Sequence, residues 1–347
     1  TSFIQALDAT ELAITDDPSA VTIGKSGNTA KVIVGAVTSA GPISIHAGEI
    51  ELKGDLDSSA GNGNILLDGA TSIAAVGSNR TLASGSGDIT LSTDAVLDNG
   101  NRVVVDTTGH FTFEPVTKWT SNFIGGNYWT LSGSVSGGDF EGDVTYPESR
   151  WLNINNFSSL GGLTLGRAGG TDNVELEADV TISGPITIYG NDVLVSSALE
   201  ATGSRISLVG TAPYDINGTL DVTSDGSLTA NELLVRNFHR AFLGFEPGDS
   251  SGTVSVDTLA SDGGDWLIAR NNQALTIGSV GGVDGITATG FAQVETTTGD
   301  LTLDKPVEVT NTGTNVVLNA GRSADISAGA PAVGTDSSGN IIVNAGG

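Results

Sequence analysis

Apolar and polar residues alternate with a period of two along most of the chain. The pattern is plain in "AVTIG" (20–24), "KVIVGAV" (31–37), "PISIHAGEIEL" (42–52), "NILLDG" (64–69), "DITLST" (88–93) and "RVVVDTT" (102–108). A period of two puts one side of each segment against a core and the other towards water, the signature of a half-buried strand. The best helical candidate, "SFIQALDATEL" at 2–12, is short and runs into the strand-like "AITDD". The pattern therefore predicts an essentially all-β protein.

The strands recur at regular intervals. Gly-bounded phrases begin near Ile43, Ile65 and Ile89, separations of 22 and 24 residues, and again near Leu163, Ile186 and Ile206, separations of 23 and 20. Such a segment cannot bury its apolar side alone, but stacking one turn on the next creates a continuous core and pairs each strand in parallel with its successor. The expected fold is an elongated, right-handed parallel β-helix (β-solenoid). Tandem immunoglobulin-like sandwiches are the alternative, supported by the hairpin-like "DNGN" (98–101) and "INGTLDV" (216–222).

"SAGPISIHAGEIEL" (39–52) returns as "ISGPITIYGNDVLV" (182–195), keeping Gly-Pro and the isoleucines while His46 becomes Tyr189. What survives is architecture: Ile43, Ile45, Ile186 and Ile188 face inward, and His46 and Tyr189 face outward. "VTIGKSGNTAKV" (21–32) likewise matches "LTLGRAGGTDNV" (163–174), with a third start at "LTIGSVGG" (275–282), and "FEP" occurs at 113–115 and 245–247. These echoes divide one continuous solenoid into modules at 1–115, 116–247 and 248–347. The stretch 121–151 is the least regular and reads as an antiparallel insertion or a pair of turns with extended loops.

Composition adds constraints. Forty Asp and Glu against fourteen Lys and Arg give a net charge of −26, which disfavours nucleic acid and anionic lipid as partners. There is no cysteine, so neither disulfides nor thiolate metal sites contribute. No apolar run approaches the length of a membrane helix, so no membrane insertion is expected. The chain starts at Thr1 and contains no Met, which reads as a processed protein or an excised fragment. The 49 glycines, with only 9 prolines, point to frequent tight turns.

At "GPISIHAGEIELKGDLDSSAGNGNILLDGATSIAAVGS", "GSGDITLSTD", "GDLTLDK" (299–305) and "GNIIVNAGG" (339–347), the chain resembles the repetitive β-helical shafts of filamentous haemagglutinin-like proteins, large bacterial surface or secreted adhesins. The resemblance implies a shaft segment at the cell surface or outside the cell, and it carries over no catalytic residues. The Asn-Pro-Asn-type motif of that family's secretion domain is absent.

Candidate chemistry is sparse. In "GDFEGDVTYPE", Asp139, Glu141 and Asp143 alternate along one strand face, and with Glu148 they form a candidate calcium site, set against a solvated acidic face. Asp257, Asp262 and Asp265 in "DTLASDGGDW" lack the spacing of a calcium loop and read as turn carboxylates. Trp119, Tyr128, Trp129, Tyr146 and Trp151 concentrate in one short stretch and are candidates to stack on glycan faces or to fill the joins between modules. Trp266, beside the second "FEP", favours the filling role. "VRNFHRAFLGFEP" carries Arg236, His239 and Arg240, a patch suited to an anionic glycan or to Arg–carboxylate pairs within the protein. The expected function is a stiff stalk or filament segment that binds a surface glycan or protein receptor, with no enzymatic activity and no cofactor beyond the candidate calcium. The alternatives are a polysaccharide lyase-like enzyme using Arg150 beside the 139–148 carboxylates, and a subunit that self-associates end to end.

Overall fold

The structure, a computed structural model, describes residues 12–14, 18–97, 101–117, 128–132, 137–141, 151–155, 157–176, 179–211, 218–244, 252–311, 313–325, 333–335 and 340–346. The chain is nearly all β, with 62% in strands, and forms a parallel β-solenoid of about 10 turns. Parallel pairing replaces the hairpins that immunoglobulin-like sandwiches would require, and no α-helix occurs among the described residues. The helical candidate at 2–12 lies outside them except for Leu12, which opens the strand Leu12–Ile14. Contacts divide the chain into two units, Thr1–Asp172 with Glu177–Ser183, and Asn173–Leu176 with Gly184–Gly347.

In the first unit, Val21, Ile43, Ile65, Ile89, Phe111 and Leu163 stand in direct register, each one turn from the next. Two residues further along, Ile23, Ile45, Leu67, Leu91, Phe113 and Leu165 form a second column, and all twelve side chains are buried. The separations read from the sequence are thus the register itself. A further column, Val32, Ile50, Ile73 and Val96, lines another wall, and Val37, Leu56, Leu82 and Val105 line a third. Each buried side chain of this size contributes about 1.5–3 kcal/mol, and stacking makes the contributions of neighbouring turns interdependent.

The corners explain the glycine content. A Cβ on Gly41 would lie 1.8 Å from the Ser19 carbonyl oxygen, and one on Gly63 would lie 2.4 Å from the Gly41 carbonyl carbon. Gly87 and Gly109 continue the stack with similar collisions. Buried Ser58, Ser84 and Thr107 close these corners by donating to carbonyls at 2.5 Å (Gly63), 2.6 Å (Gly87) and 2.7 Å (Gly87). A second device hooks one turn to the next: Asn64 Oδ1 accepts the Asp88 N–H at 2.9 Å, and Asp88 Oδ1 accepts the His110 N–H at 2.8 Å. Each hook satisfies a backbone donor where the ladder stops at a corner.

The step from Phe111 to Leu163 is more than twice as long as the others. It accommodates Tyr128–Ser132 and Gly137–Glu141, which pair antiparallel, and Trp151–Asn155, which pairs antiparallel with the latter and parallel with Val103–Thr107. Among the described residues of 121–151, the pairing within the stretch is antiparallel.

In the second unit, Val193, Leu220, Ala241, Leu267, Ala292, Val316 and Ile341 follow one another in register along one wall, and Ile186, Ile206, Leu233 and Leu259 along another. Buried Asn271 stands in for missing backbone partners, donating from Nδ2 to the Val256, Gln273 and Ala274 carbonyls and accepting the Val256 N–H on Oδ1. The "TIG" echoes are echoes of conformation: Gly24 and Gly27 have φ of 75° and 77°, and Gly166 and Gly169 have 78° and 75°. Such values favour glycine, and the matching loops show why the glycines of the phrase recur. The third copy departs, opening into an antiparallel hairpin of Ser279–Val280 with Val283–Asp284 that covers Leu234 and Ala260. The expected seam near 247 falls outside the described residues.

Candidate functional site

The densest chemistry among the described residues sits in the second unit, where the corner after strand Ser227–Arg236 stacks on the corresponding bend inside strand Thr253–Asn271. Arg236 pairs with Asp262 in register and Arg240 with Trp266, so the three intervening corner residues of each turn also lie level. The bend is tight: Asn237 adopts φ of 60° and Gly263 of 70°, and a Cβ on Gly263 would strike the Asn237 Oδ1 at 2.2 Å. Phe238 is buried and anchors the bend, which leaves Arg236, His239 and Arg240 on the outside.

Each outward side chain meets its counterpart one turn on. Arg236 Nε donates to Asp262 Oδ1 at 2.6 Å and Nη2 to Oδ2 at 2.8 Å, a two-pronged pair that raises the guanidinium pKa through hydrogen bonding and charge. His239 Nδ1 lies 3.5 Å from Asp265 Oδ2, while Thr289 donates to Asp265 Oδ1 at 2.6 Å. The Arg240 guanidinium sits 5.6 Å from the centre of the Trp266 ring, and Phe291, one turn further, packs at 5.6 Å with its ring tilted by 52°. Gly290 makes this possible, since a Cβ there would come within 2.4 Å of Asp265 Oδ1 and 2.9 Å of Trp266 Nε1. Beside the indole, buried Val235, Phe238, Ala241, Leu267 and Ala288 and the more polar Asn237, Ser261, Asp262 and Thr287 line a crevice of about 10 Å³, the space of about one water molecule.

No family model, curated protein or solved structure matches this chain. Its site must be judged on its own geometry.

The basic patch expected from the sequence is present, but Arg236 and His239 face acidic partners in the same molecule, which favours the pairing role over an open anion site. In the Asp257–Asp265 stretch each of the three carboxylates has a partner within the protein: Asp257 accepts from Gln273 Nε2 at 2.8 Å, Asp262 from Arg236, and Asp265 from Thr289. Among the described residues, no group of three or more His, Asp or Glu is placed to hold a metal ion. Trp266 differs from expectation. It occupies an outward register position opposite Arg240 and is 41% exposed, because the neighbouring Leu267 and Ala269 take the inward positions.

The other candidates are spread out. Asp139 and Glu141 lie in Gly137–Glu141, with Asn153 and Trp151 as their register partners, while Asp143 and Glu148 fall outside the described residues. Tyr128 and Trp129 belong to Tyr128–Ser132 and Trp151 to Trp151–Asn155, whereas Trp119, Tyr146 and Arg150 fall outside the described residues. His46 Nδ1 lies 2.9 Å from Asp68 Oδ2, and Ser92 is the next register partner after Asp68. A catalytic triad needs the histidine between acid and nucleophile, and here the acid stands in the middle. His110 Nε2 lies 2.8 Å from Thr164 Oγ1, and burial lowers its pKa against the opposing effect of Asp88.

Sequence reading had found these residues but not their pairing. The signal was available: Arg236 to Asp262, His239 to Asp265 and Arg240 to Trp266 share one offset of 26 residues, the local length of a turn.

Proposed function

We propose that this chain is a stiff structural segment of a large bacterial cell-surface or secreted protein, a shaft of the filamentous haemagglutinin-like kind with an adhesive surface. The observation that supports it is the unbroken inward column of the first unit, from Val21 to Leu165, in which every turn rests on the last in direct register. Backbone hydrogen bonds running from turn to turn and a continuous apolar interior resist bending, and the Asn and Asp hooks at the corners resist slippage between turns. The reading assigns the chain no reaction and no cofactor. It places the chain outside the cell, in keeping with its acidic surface; no helix among the described residues is long and apolar enough to cross a membrane. Electron microscopy of the purified chain tests the reading. Straight rods of constant width are expected, and compact or flexible particles would overturn it.

A further inference from the structure

The strand Ile341–Ala345 of the second unit is an open edge, and we infer that it joins the chain to a second copy of itself, the two strands pairing antiparallel across a two-fold axis at Val343. The inference goes beyond the shaft reading and does not rest on it. Ile341–Ala345 pairs in parallel with Val316–Ala320 on one side, and among the described residues no strand pairs with its other side. All of its residues are exposed, whereas Val316 and Leu318, the register partners of Ile341 and Val343, are fully buried. Among the described residues, the exposed large apolar side chains Leu97 and Trp266 stand singly, while Ile341, Ile342 and Val343 lie together, at 46%, 43% and 42%.

This edge is complementary to itself. The Asn340 carbonyl accepts the Val316 N–H at 3.0 Å, and the Gly346 N–H donates to the Ala320 carbonyl at 2.9 Å. Alternation along the ladder then turns the N–H and C=O groups of Ile341, Val343 and Ala345 to the open side. With the axis at Val343, that residue meets Val343 of the second copy, Ile341 meets the copy's Ala345, and each such pair exchanges both backbone hydrogen bonds. The same residues hold the inward positions of their wall, so the axis sets core side chains against core side chains and prolongs the apolar interior from one copy into the other. Edges that stay single are blunted by Lys, Pro or a bulge, and "NIIVNAG" (340–346) carries neither a charge nor a proline.

The neighbouring turn shows that a strand of this sequence stacks on its like. "NVVLNAG" (315–321) matches "NIIVNAG" position by position and is already its register partner, with Asn344 Nδ2 donating to Asn319 Oδ1 at 2.8 Å and the Asn340 N–H to Asn315 Oδ1 at 3.0 Å. A second copy is therefore the partner that brings a matching strand. Pairing about a two-fold axis closes on itself, so the product is a dimer and not a fibre. Only the edge and its surroundings are covered, which implies weak association, in the range of about 1–100 μM.

Sedimentation velocity of the intact chain tests the inference. A monomer–dimer equilibrium is expected, and Val343→Lys, at an exposed position that opposes two like charges on the axis, should weaken the dimer about tenfold or more. Two copies that each carry −26 repel at long range, so added salt should strengthen the dimer. The chain has no cysteine, and Val343→Cys introduces a lone thiol. Across the axis the two Cα atoms would stand about 5.5 Å apart, within disulfide reach, so mild oxidation should link the copies. Asn340→Cys, about 20 Å from its counterpart in the same arrangement, should stay unlinked. A chain that stays monomeric at about 100 μM, a dimer that Val343→Lys leaves intact, assembly beyond the dimer, or equal linking at positions 340 and 343 overturns the inference.

Discussion

Truncating one side chain in the inward column should damage its neighbours as much as itself. Ile65 is 1% exposed and stands between Ile43 and Ile89, both fully buried. Ile65→Ala removes three buried carbons, about 2.4 kcal/mol at ~0.8 kcal/mol each. The void left behind brings the expected cost into the range of about 2–5 kcal/mol. Because Ile43 and Ile65 would line the same void, the double variant Ile43→Ala/Ile65→Ala should depart from additivity by about 0.5–3 kcal/mol. Ile43→Ala/Phe111→Ala, with two intact turns between the sites, should be additive within about 0.5 kcal/mol. Stacked arrays depart from all-or-none unfolding, so native-state hydrogen exchange read strand by strand is the suitable assay. Loss of protection should centre on the strands that carry residues 43, 65 and 89. A cost of Ile65→Ala below about 1 kcal/mol, or equal coupling in the near and distant pairs, would refute the column as the source of stability.

Three further outcomes follow from the corners and the ladders. Gly63→Ala places a Cβ 2.4 Å from the Gly41 carbonyl carbon and should destabilise the fold by about 1–3 kcal/mol or more, read as a lower thermal midpoint. Arg236→Ala or Asp262→Asn should cost only about 1 kcal/mol, since both side chains are part-exposed, and a double-mutant cycle should show the coupling shrinking as salt is added. The folded chain binds the His110 proton more weakly than the unfolded chain does, so the histidine's contribution is complete above the unfolded value of about 6.5 and falls away as pH drops below it. Denaturant titrations across that range should show the decline in the parent and a shallower one in His110→Asn; equal slopes would rule His110 out as its source.

The sequence discloses the core because the core is local and periodic. Ile43, Ile65 and Ile89 open similar phrases at 22 and 24 residues and prove to be direct register partners. Ile43, Ile45, Ile186 and Ile188 carry the repeated Gly-Pro phrase and are fully buried. The outward features are less legible because they depend on which residues become level across turns. Asn64 and Asp88 read as ordinary turn formers, yet each holds the next turn's backbone. Trp266 reads as a core filler from its place beside a repeated motif, but strand parity points it outward. The insertion at 121–151 carries no repeat to set its register, which is why its acidic and aromatic residues gave only isolated candidates.

Register also resolves how so acidic a chain stacks at all. Adjacent turns sit about 4.8 Å apart, a spacing at which carboxylates directly opposite one another repel. Among the described residues, no strand register places one carboxylate opposite another. Lys31 faces Glu49, His46 faces Asp68, Arg205 faces Glu232, Arg236 faces Asp262 and Arg270 faces Glu295. Where no base is available the partner is small or uncharged, as with Asp68 and Ser92, Ser92 and Glu114, Thr287 and Glu308, and Thr302 and Asp325. Fourteen basic residues among forty acidic ones cannot neutralise the chain, but they are enough to interrupt the ladders. Within the solenoid the net charge is therefore arranged so that it does not oppose stacking. The same arrangement leaves Arg236 committed to Asp262, so the basic residue of the corner is spent within the molecule.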